Sequence, residues 1–192
     1  MWLRALRWIR DHGSQYPCDM RNIMLTGDSA GGQLAAYSAG LMQSAQLRKT
    51  FDTVDPQMEL TALLLTSPVA FMRDGGLFSL YTKPMWGTDY KDKATYPYMD
   101  FDQIIDYAQA LPPTYLITSS GDTLANKQTH RLYEVLQAHG VQAEIKDYAK
   151  AEYNQSLPHV FSVLQPFEPA GTAAIDKALA FYQQAMTAKA AQ

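Results

Sequence analysis

The chain is poor in the features that mark several classes of protein. One of its 192 residues is cysteine, Cys18, with no CxxC or His/Cys cluster beside it. An internal disulfide is therefore excluded, and a structural zinc site is unsupported. Long apolar runs are missing: the densest, such as Leu63-Leu64-Leu65, fall far short of the roughly 20 residues that cross a bilayer. The opening Met1-Trp2-Leu3-Arg4 shows neither the apolar region nor the cleavage site of a signal peptide. A soluble, untargeted, cytoplasmic protein without a membrane span is expected. Charge is sparse as well: 16 Lys+Arg against 19 Asp+Glu leave a net charge of -3, and no basic run interrupts the sequence. Nucleic acid is not an expected partner. Repeats, low-complexity tracts and linkers are lacking, so residues 1–192 read as one domain, and 47% hydrophobic content is enough to give it a core.

What is present is an alternation of strands and helices. Trp2, Ala5, Leu6 and Ile9 recur at helical spacing, which predicts an amphipathic helix over 2–12 with Arg4, Arg7 and Arg10 on its solvated side, stopped by Gly13. Asn22–Thr26 is a short apolar run. Gly27 to Gly32 then turns the chain into the helical composition of Gln33–Gln46. Further strands are predicted at Thr61–Thr66, Thr114–Ser119 and Gln142–Tyr148. A helix carrying Leu132, Val135 and Leu136 ends at Gly140, and Ile175, Ala178, Leu179, Tyr182 and Met186 form a core-facing stripe on a final helix. Apolar strands alternating with helices predict an α/β fold, a mostly parallel sheet of about four strands with helices on both faces. The segment 68–100, rich in Gly, Pro, Tyr and Asp, is expected to be an irregular insertion over one rim.

The most specific motif is Gly27-Asp28-Ser29-Ala30-Gly31-Gly32. It is a G-x-S-x-G match between a strand and a helix, a context in which glycines at 27 and 31 permit a sharp turn and leave Ser29 exposed at the strand end. The helix N-terminus would aim the Ala30 N–H at a developing oxyanion. A serine hydroxyl needs a base oriented by a carboxylate. Of the four histidines, His12 and His139 sit at helix ends and His130 on a polar helix face, positions with adequate structural explanations. His159, in Leu157-Pro158-His159-Val160-Phe161, lies in an irregular loop after the fourth strand, where a base could reach across the strand ends. Asp122 follows the third strand in Ser119-Ser120-Gly121-Asp122. A helix N-cap would explain it alone, yet strand ends on one side of a parallel sheet can bring Ser29, Asp122 and His159 together.

On Gly27–Gly32, on Leu111-Pro112-Pro113-Thr114 leading to Gly121-Asp122-Thr123-Leu124, and on His159-Val160-Phe161, the chain resembles the hormone-sensitive-lipase-like, GDSAGG branch of the α/β-hydrolase carboxylesterases. The resemblance implies a partial α/β-hydrolase fold with Ser29 as nucleophile, His159 as general base and then acid, and Asp122 as its orienting partner. It implies hydrolysis of short-chain acyl esters through an acyl-serine intermediate, a small-molecule ester as partner, and no metal or organic cofactor. In that family the elbow strand is the fifth of eight and an HGGG-like oxyanion loop precedes it. Residues 1–28 hold no such loop, so the chain is expected to correspond to the C-terminal part, with feeble activity. The Asn22–Thr26 strand, of interior character, would then expose an edge through which a homodimer could form. Two other readings stand beside the esterase: a non-catalytic α/β-hydrolase-like module that binds another chain through that edge, and a peptidase of the same fold. Tyr81, Met85, Trp86, Tyr90, Tyr96 and Tyr98 are either a pocket lining or ordinary packing.

Overall fold

A computed structural model describes residues 2–73 and 79–191. Its order is α1 (Trp2–His12), β1 (Met24–Asp28), α2 (Ser29–Gln43), α3 (Ala45–Thr50), β2 (Ala62–Thr66), α4 (Ser79–Trp86), α5 (Asp102–Ile105) and β3 (Thr114–Ser119). There follow α6 (Asn126–Ala138), β4 (Ala143–Tyr148), α7 (Lys150–Tyr153), α8 (Phe161–Leu164) and α9 (Pro169–Ala190). The four strands form one parallel sheet in the order β1-β2-β3-β4. Sequential parallel neighbours require a crossover each time, and the intervening helices supply it.

The strands explain why both faces are covered. Leu25, Leu63, Leu65 and Leu116 point to one side and pack with α1, α2 and α6 residues such as Leu3, Ala36, Leu132 and Leu136. Ala62, Tyr115, Ile117 and Tyr148 point to the other and pack under Ala174, Ala178, Phe181 and Ala185 of α9. Residues adjacent along a strand thus serve opposite cores, and that is why the strands read as apolar runs instead of alternating ones.

Several sequence expectations shift. β1 runs to Asp28 instead of ending at Thr26, because Gly27 and Asp28 still pair with Leu65 and Thr66 of β2. α2 accordingly begins at Ser29 rather than Gln33 and ends at Gln43. The predicted faces of the two terminal helices are rotated. In α1, Leu3 and Leu6 are buried while Ala5 and Ile9 are exposed, and Arg10 leaves solvent to donate to the Pro56 carbonyl at 3.0 Å. In α9 the small side chains of Ala170, Ala174, Ala178 and Ala185 face the sheet, with Ile175 and Leu179 outward. Alanines let the helix backbone approach the bulky Tyr115 and Ile117, which a stripe led by Ile175 and Leu179 would hold away.

The segment 68–100 is more ordered than predicted where it is described. It carries α4, short 3₁₀ turns at Tyr90–Asp92 and Tyr96–Met99, and a core of its own built from Val69, Met72 and Met99. Its ends are clamped. The buried Gln128 accepts from the Ala70 and Phe71 N–H groups at 2.9 and 3.1 Å and donates to the Phe71 carbonyl at 3.1 Å. Asp100 accepts from Arg73 N and Nε at 2.9 and 2.8 Å.

Candidate active site

Three loops at the C-terminal ends of β1, β3 and β4 meet over one edge of the sheet. The first is the elbow from β1 to α2. Ser29 takes φ 50°, a left-handed conformation that costs a non-glycine residue about 1–3 kcal/mol and aims its hydroxyl away from the helix. The turn holds because its surroundings leave no alternative. A Cβ on Gly27 would lie 2.2 Å from the Gly31 carbonyl oxygen, and one on Gly32 would lie 2.9 Å from Pro68 Cβ. At Gly31 a Cβ would meet nothing closer than Asp28 Oδ1 at 4.0 Å. The close packing expected of Gly27 and Gly31 therefore belongs to Gly27 and Gly32. The Ser29 carbonyl also accepts from the Val69 N–H at 3.1 Å, which fixes the elbow against the loop after β2.

The second loop carries Asp122. Its Oδ1 accepts from the N–H groups of Leu124 and Ala125 at 3.0 and 2.9 Å, an Asx-type turn ahead of α6. Its Oδ2 is left for His159 Nδ1 at 2.9 Å. The structural role and the pairing with histidine thus use different oxygens of one carboxylate. That side chain has no exposed surface. Burial pushes the carboxyl up, but hydrogen bonds from His159 and the Ala125 N–H outweigh it and hold the group below its ordinary value. The Ser67 hydroxyl adds to that hold from nearby, without a hydrogen bond of regular geometry.

The third loop presents His159, whose Nε2 lies 2.9 Å from Ser29 Oγ. Leu157 and Phe161 anchor it in the α9-side core, and Ser119 Oγ donates to the Leu157 carbonyl at 2.6 Å. Val160, next to the histidine, is also left-handed, with φ 53°. A β-branched residue there is an outlier that only firm anchoring sustains. Gly121 makes the docking possible: a Cβ would lie 2.5 Å from the Leu157 oxygen. Gly121→Ala is expected to lower stability by about 1–3 kcal/mol through this overpacking. It should also weaken any reaction of Ser29 by about 10²-fold, the usual effect of displacing a base by an ångström. Urea unfolding and the rate of Ser29 modification check the two effects separately.

The three residues singled out in the sequence are therefore within hydrogen-bonding distance of one another. With Nδ1–H donating to Asp122, Nε2 is free to accept from the serine hydroxyl. Ala30, the second residue of α2, is exposed beside Ser29, and its N–H belongs to the first helical turn, where no intrahelical acceptor exists. Asp28 is the N-cap of α2 but makes no side-chain cap bond. The other histidines lie elsewhere. His12 donates to the Trp8 carbonyl and stacks on that ring, His130 pairs with Asp147 at 2.9 Å, and His139 bonds the Val135 carbonyl and Asp106.

A cavity of about 260 Å³ opens at Ser29, lined by Ala30, Gln33, Val69, Met72, Tyr81, Met85 and Leu124. The six residues of the 68–100 segment divide. Tyr81 and Met85 line this cavity, whereas Tyr90 and Tyr96 pack on the small Val69 core, Tyr98 on the main one and Trp86 on both. Gln33, Ser67 and the Gly121–Leu157 contact escaped the sequence reading; a polar residue one helical turn after Ser29 was the one available signal, and only for Gln33.

Known structures share this arrangement of strands and helices. Esterase B from Lactobacillus rhamnosis (HN001) is similar with a TM-score of 0.87 and 27% identity, over 97% of this chain and 60% of that one. The same esterase inhibited by a C4-C4 SN3 tributyrin phosphonate gives 0.86 and 28%, over 99% and 62%. The carboxylesterase Cest-2923 from Lactobacillus plantarum WCFS1 gives 0.70 at 20% identity, over 93% and 63%, a likeness of fold alone. The chain thus spans about three fifths of the length of the structures it resembles. No curated protein matches it. A family model described as alpha/beta hydrolase fold matches residues 2–157, and the chain belongs to that family.

Proposed function

We propose that this chain is a serine ester hydrolase of carboxylesterase type, acting on short-chain acyl esters through an acyl-serine intermediate. The observation that carries the reading is the unbroken relay from Ser29 Oγ through His159 to the buried Asp122, each link 2.9 Å long. As Ser29 Oγ attacks the ester carbonyl carbon, His159 Nε2 takes its proton, and the Asp122 carboxylate stabilises the imidazolium. The carbonyl oxygen, now an oxyanion, faces the Ala30 N–H. Collapse expels the alcohol, which leaves with the proton from His159, and water repeats the sequence to release the acid and restore Ser29. The similarity to an esterase, including its form inhibited by a tributyrin phosphonate, supports this class of chemistry.

The rate is expected to be low. The sequence holds no HGGG-like loop, and one missing oxyanion donor lowers a rate by about 10²–10³-fold. Hydrolysis of p-nitrophenyl butyrate by the purified chain and by Ser29→Ala tests the reading. A slow turnover that vanishes in Ser29→Ala is expected, and equal rates for both proteins would overturn it.

The open edge of β1 supports a second proposal, a homodimer. Among the described residues β1 pairs on one side only, with β2, and an unpaired strand edge of interior composition is a template for another. Sedimentation velocity over a range of concentrations is expected to show a dimer that dissociates on dilution; a monomer at every concentration would remove this proposal.

A further inference from the structure

The cavity at Ser29 is too small for a long acyl chain, lying under the ~300–1,000 Å³ typical of sites for drug-sized ligands. A second cavity of about 290 Å³ adjoins it, lined by Leu3, Tyr37, Leu41, Phe51 and Trp86 among others. The two share Gln33 and Met85 as a common wall. The halves of that wall differ. Gln33 is buried within α2 and fixed there, its Nε2 without a hydrogen-bond partner of regular geometry. Met85 is half-exposed and stands on α4, a short helix loosened internally by Pro84, which cannot donate a helical hydrogen bond. An unbranched, flexible thioether there can swing without disturbing a core.

We infer that Met85 is the specificity-determining gate of this site. It limits the acyl arm to the first cavity when it lies across the wall, and it admits a longer alkyl chain to the Tyr37–Trp86 cavity when it moves aside. The inference rests on Ser29 being the nucleophile, and it adds the substrate class: esters whose acyl arm extends beyond the short-chain range once Met85 is displaced. The second cavity suits such a chain because its lining is mostly carbon and it lies directly behind the Gln33–Met85 wall of the cavity at Ser29. Each methylene moved from water into it favours binding by about 4-fold.

Stoichiometric labelling by butyl- and decyl-phosphonate p-nitrophenyl esters tests the gate. In this reaction Ser29 Oγ forms a bond to phosphorus, p-nitrophenolate leaves, and the serine proton passes to His159. Intact mass gives the rate for each reagent. Met85→Ala is expected to raise the decyl-to-butyl rate ratio at least about 10-fold, as a few extra methylenes become buried. Met85→Leu, similar in volume, should hold the ratio near that of the unaltered chain. Thr53→Trp, which fills the second cavity alone, should reverse the gain in the Met85→Ala background. A ratio in Met85→Ala within twofold of the unaltered chain would overturn the inference. Absence of labelling by either reagent would instead count against the nucleophile. The gate is then read directly from NMR of Ser29→Ala titrated with 1-decanol. Shifts at both the Met85 methyl and the Trp86 indole N–H sustain the joined cavity, and no shift at Trp86 overturns it.

Discussion

Asp122→Asn is expected to lower the Ser29-dependent rate of ester hydrolysis by about 10⁴-fold, to near the rate of Ser29→Ala. The size of the effect follows from how the two oxygens of Asp122 are used. Oδ1 is held by the N–H groups of Leu124 and Ala125, so an asparagine must keep its carbonyl there. The reverse orientation would press an NH₂ group against two donors in a site without solvent. The amide NH₂ therefore faces His159 Nδ1, which can now only accept. The imidazole proton moves to Nε2, and the nitrogen 2.9 Å from Ser29 Oγ becomes a donor. The histidine is then still in place but in the wrong tautomer to take a proton. Paired assays of both variants on p-nitrophenyl butyrate check this, and retention of half the Ser29-dependent rate in Asp122→Asn would show that the carboxylate does not set the tautomer.

The same substitution has a signature in stability that is independent of turnover. The carboxyl of Asp122 sits below its ordinary value in the folded chain, where hydrogen bonds from His159 and Ala125 overcome the upward push of burial. A depressed carboxyl stabilises the fold above the unfolded value of about 3.9 and loses that contribution as pH falls through the lower folded value. Unfolding free energies of the two proteins are therefore expected to differ by a constant amount above about pH 5 and to converge as pH falls below about 4. Urea titrations between pH 2 and 7 measure this convergence.

The meeting of Ser29, Asp122 and His159 was legible in the sequence because each is a chemically distinctive residue in a segment that follows a strand. β3 was legible to the residue, since Thr114–Ser119 is a run of β-branched, aromatic and aliphatic residues ending in a serine and is bounded by Pro113 and Ser120. Other features depend on relations that one sequence does not carry. Gly27 reads as a turn locally, but its pairing with Leu65 keeps it in β1. The sheet-facing side of α9 was misjudged because hydrophobicity favours Ile175 and Leu179, while closeness to Tyr115 and Ile117 of β3 favours alanine. The ordered parts of 68–100 lack periodicity because their structure comes from Gln128 and Asp100 gripping the backbone, contacts 27 to 58 residues apart. In each case local composition was overruled by a partner far away in the chain.

The elbow offers the sharpest separation between motif and mechanism, because its glycines look alike in sequence and differ in what surrounds them. Gly27→Ala is expected to destabilise the fold by about 3 kcal/mol or more, the upper range of overpacking. Its new Cβ would stand 2.2 Å from the carbonyl oxygen of Gly31 and 2.8 Å from the nitrogen of Gly32, backbone atoms with no side-chain freedom to yield. Relief requires the first turn of α2 to move away from β1, which carries Ser29 out of reach of His159 and the Ala30 N–H with it. Gly31→Ala is expected to do the opposite. A Cβ there has room, and inside a helix alanine is favoured over glycine by about 0.5–1 kcal/mol. The two variants should therefore move the urea midpoint in opposite directions, and only Gly27→Ala should abolish phosphonate labelling of Ser29. Equal destabilisation by both would mean that the elbow is held by the glycine spacing of the motif as a whole, and not by the single close approach of β1 to the start of α2.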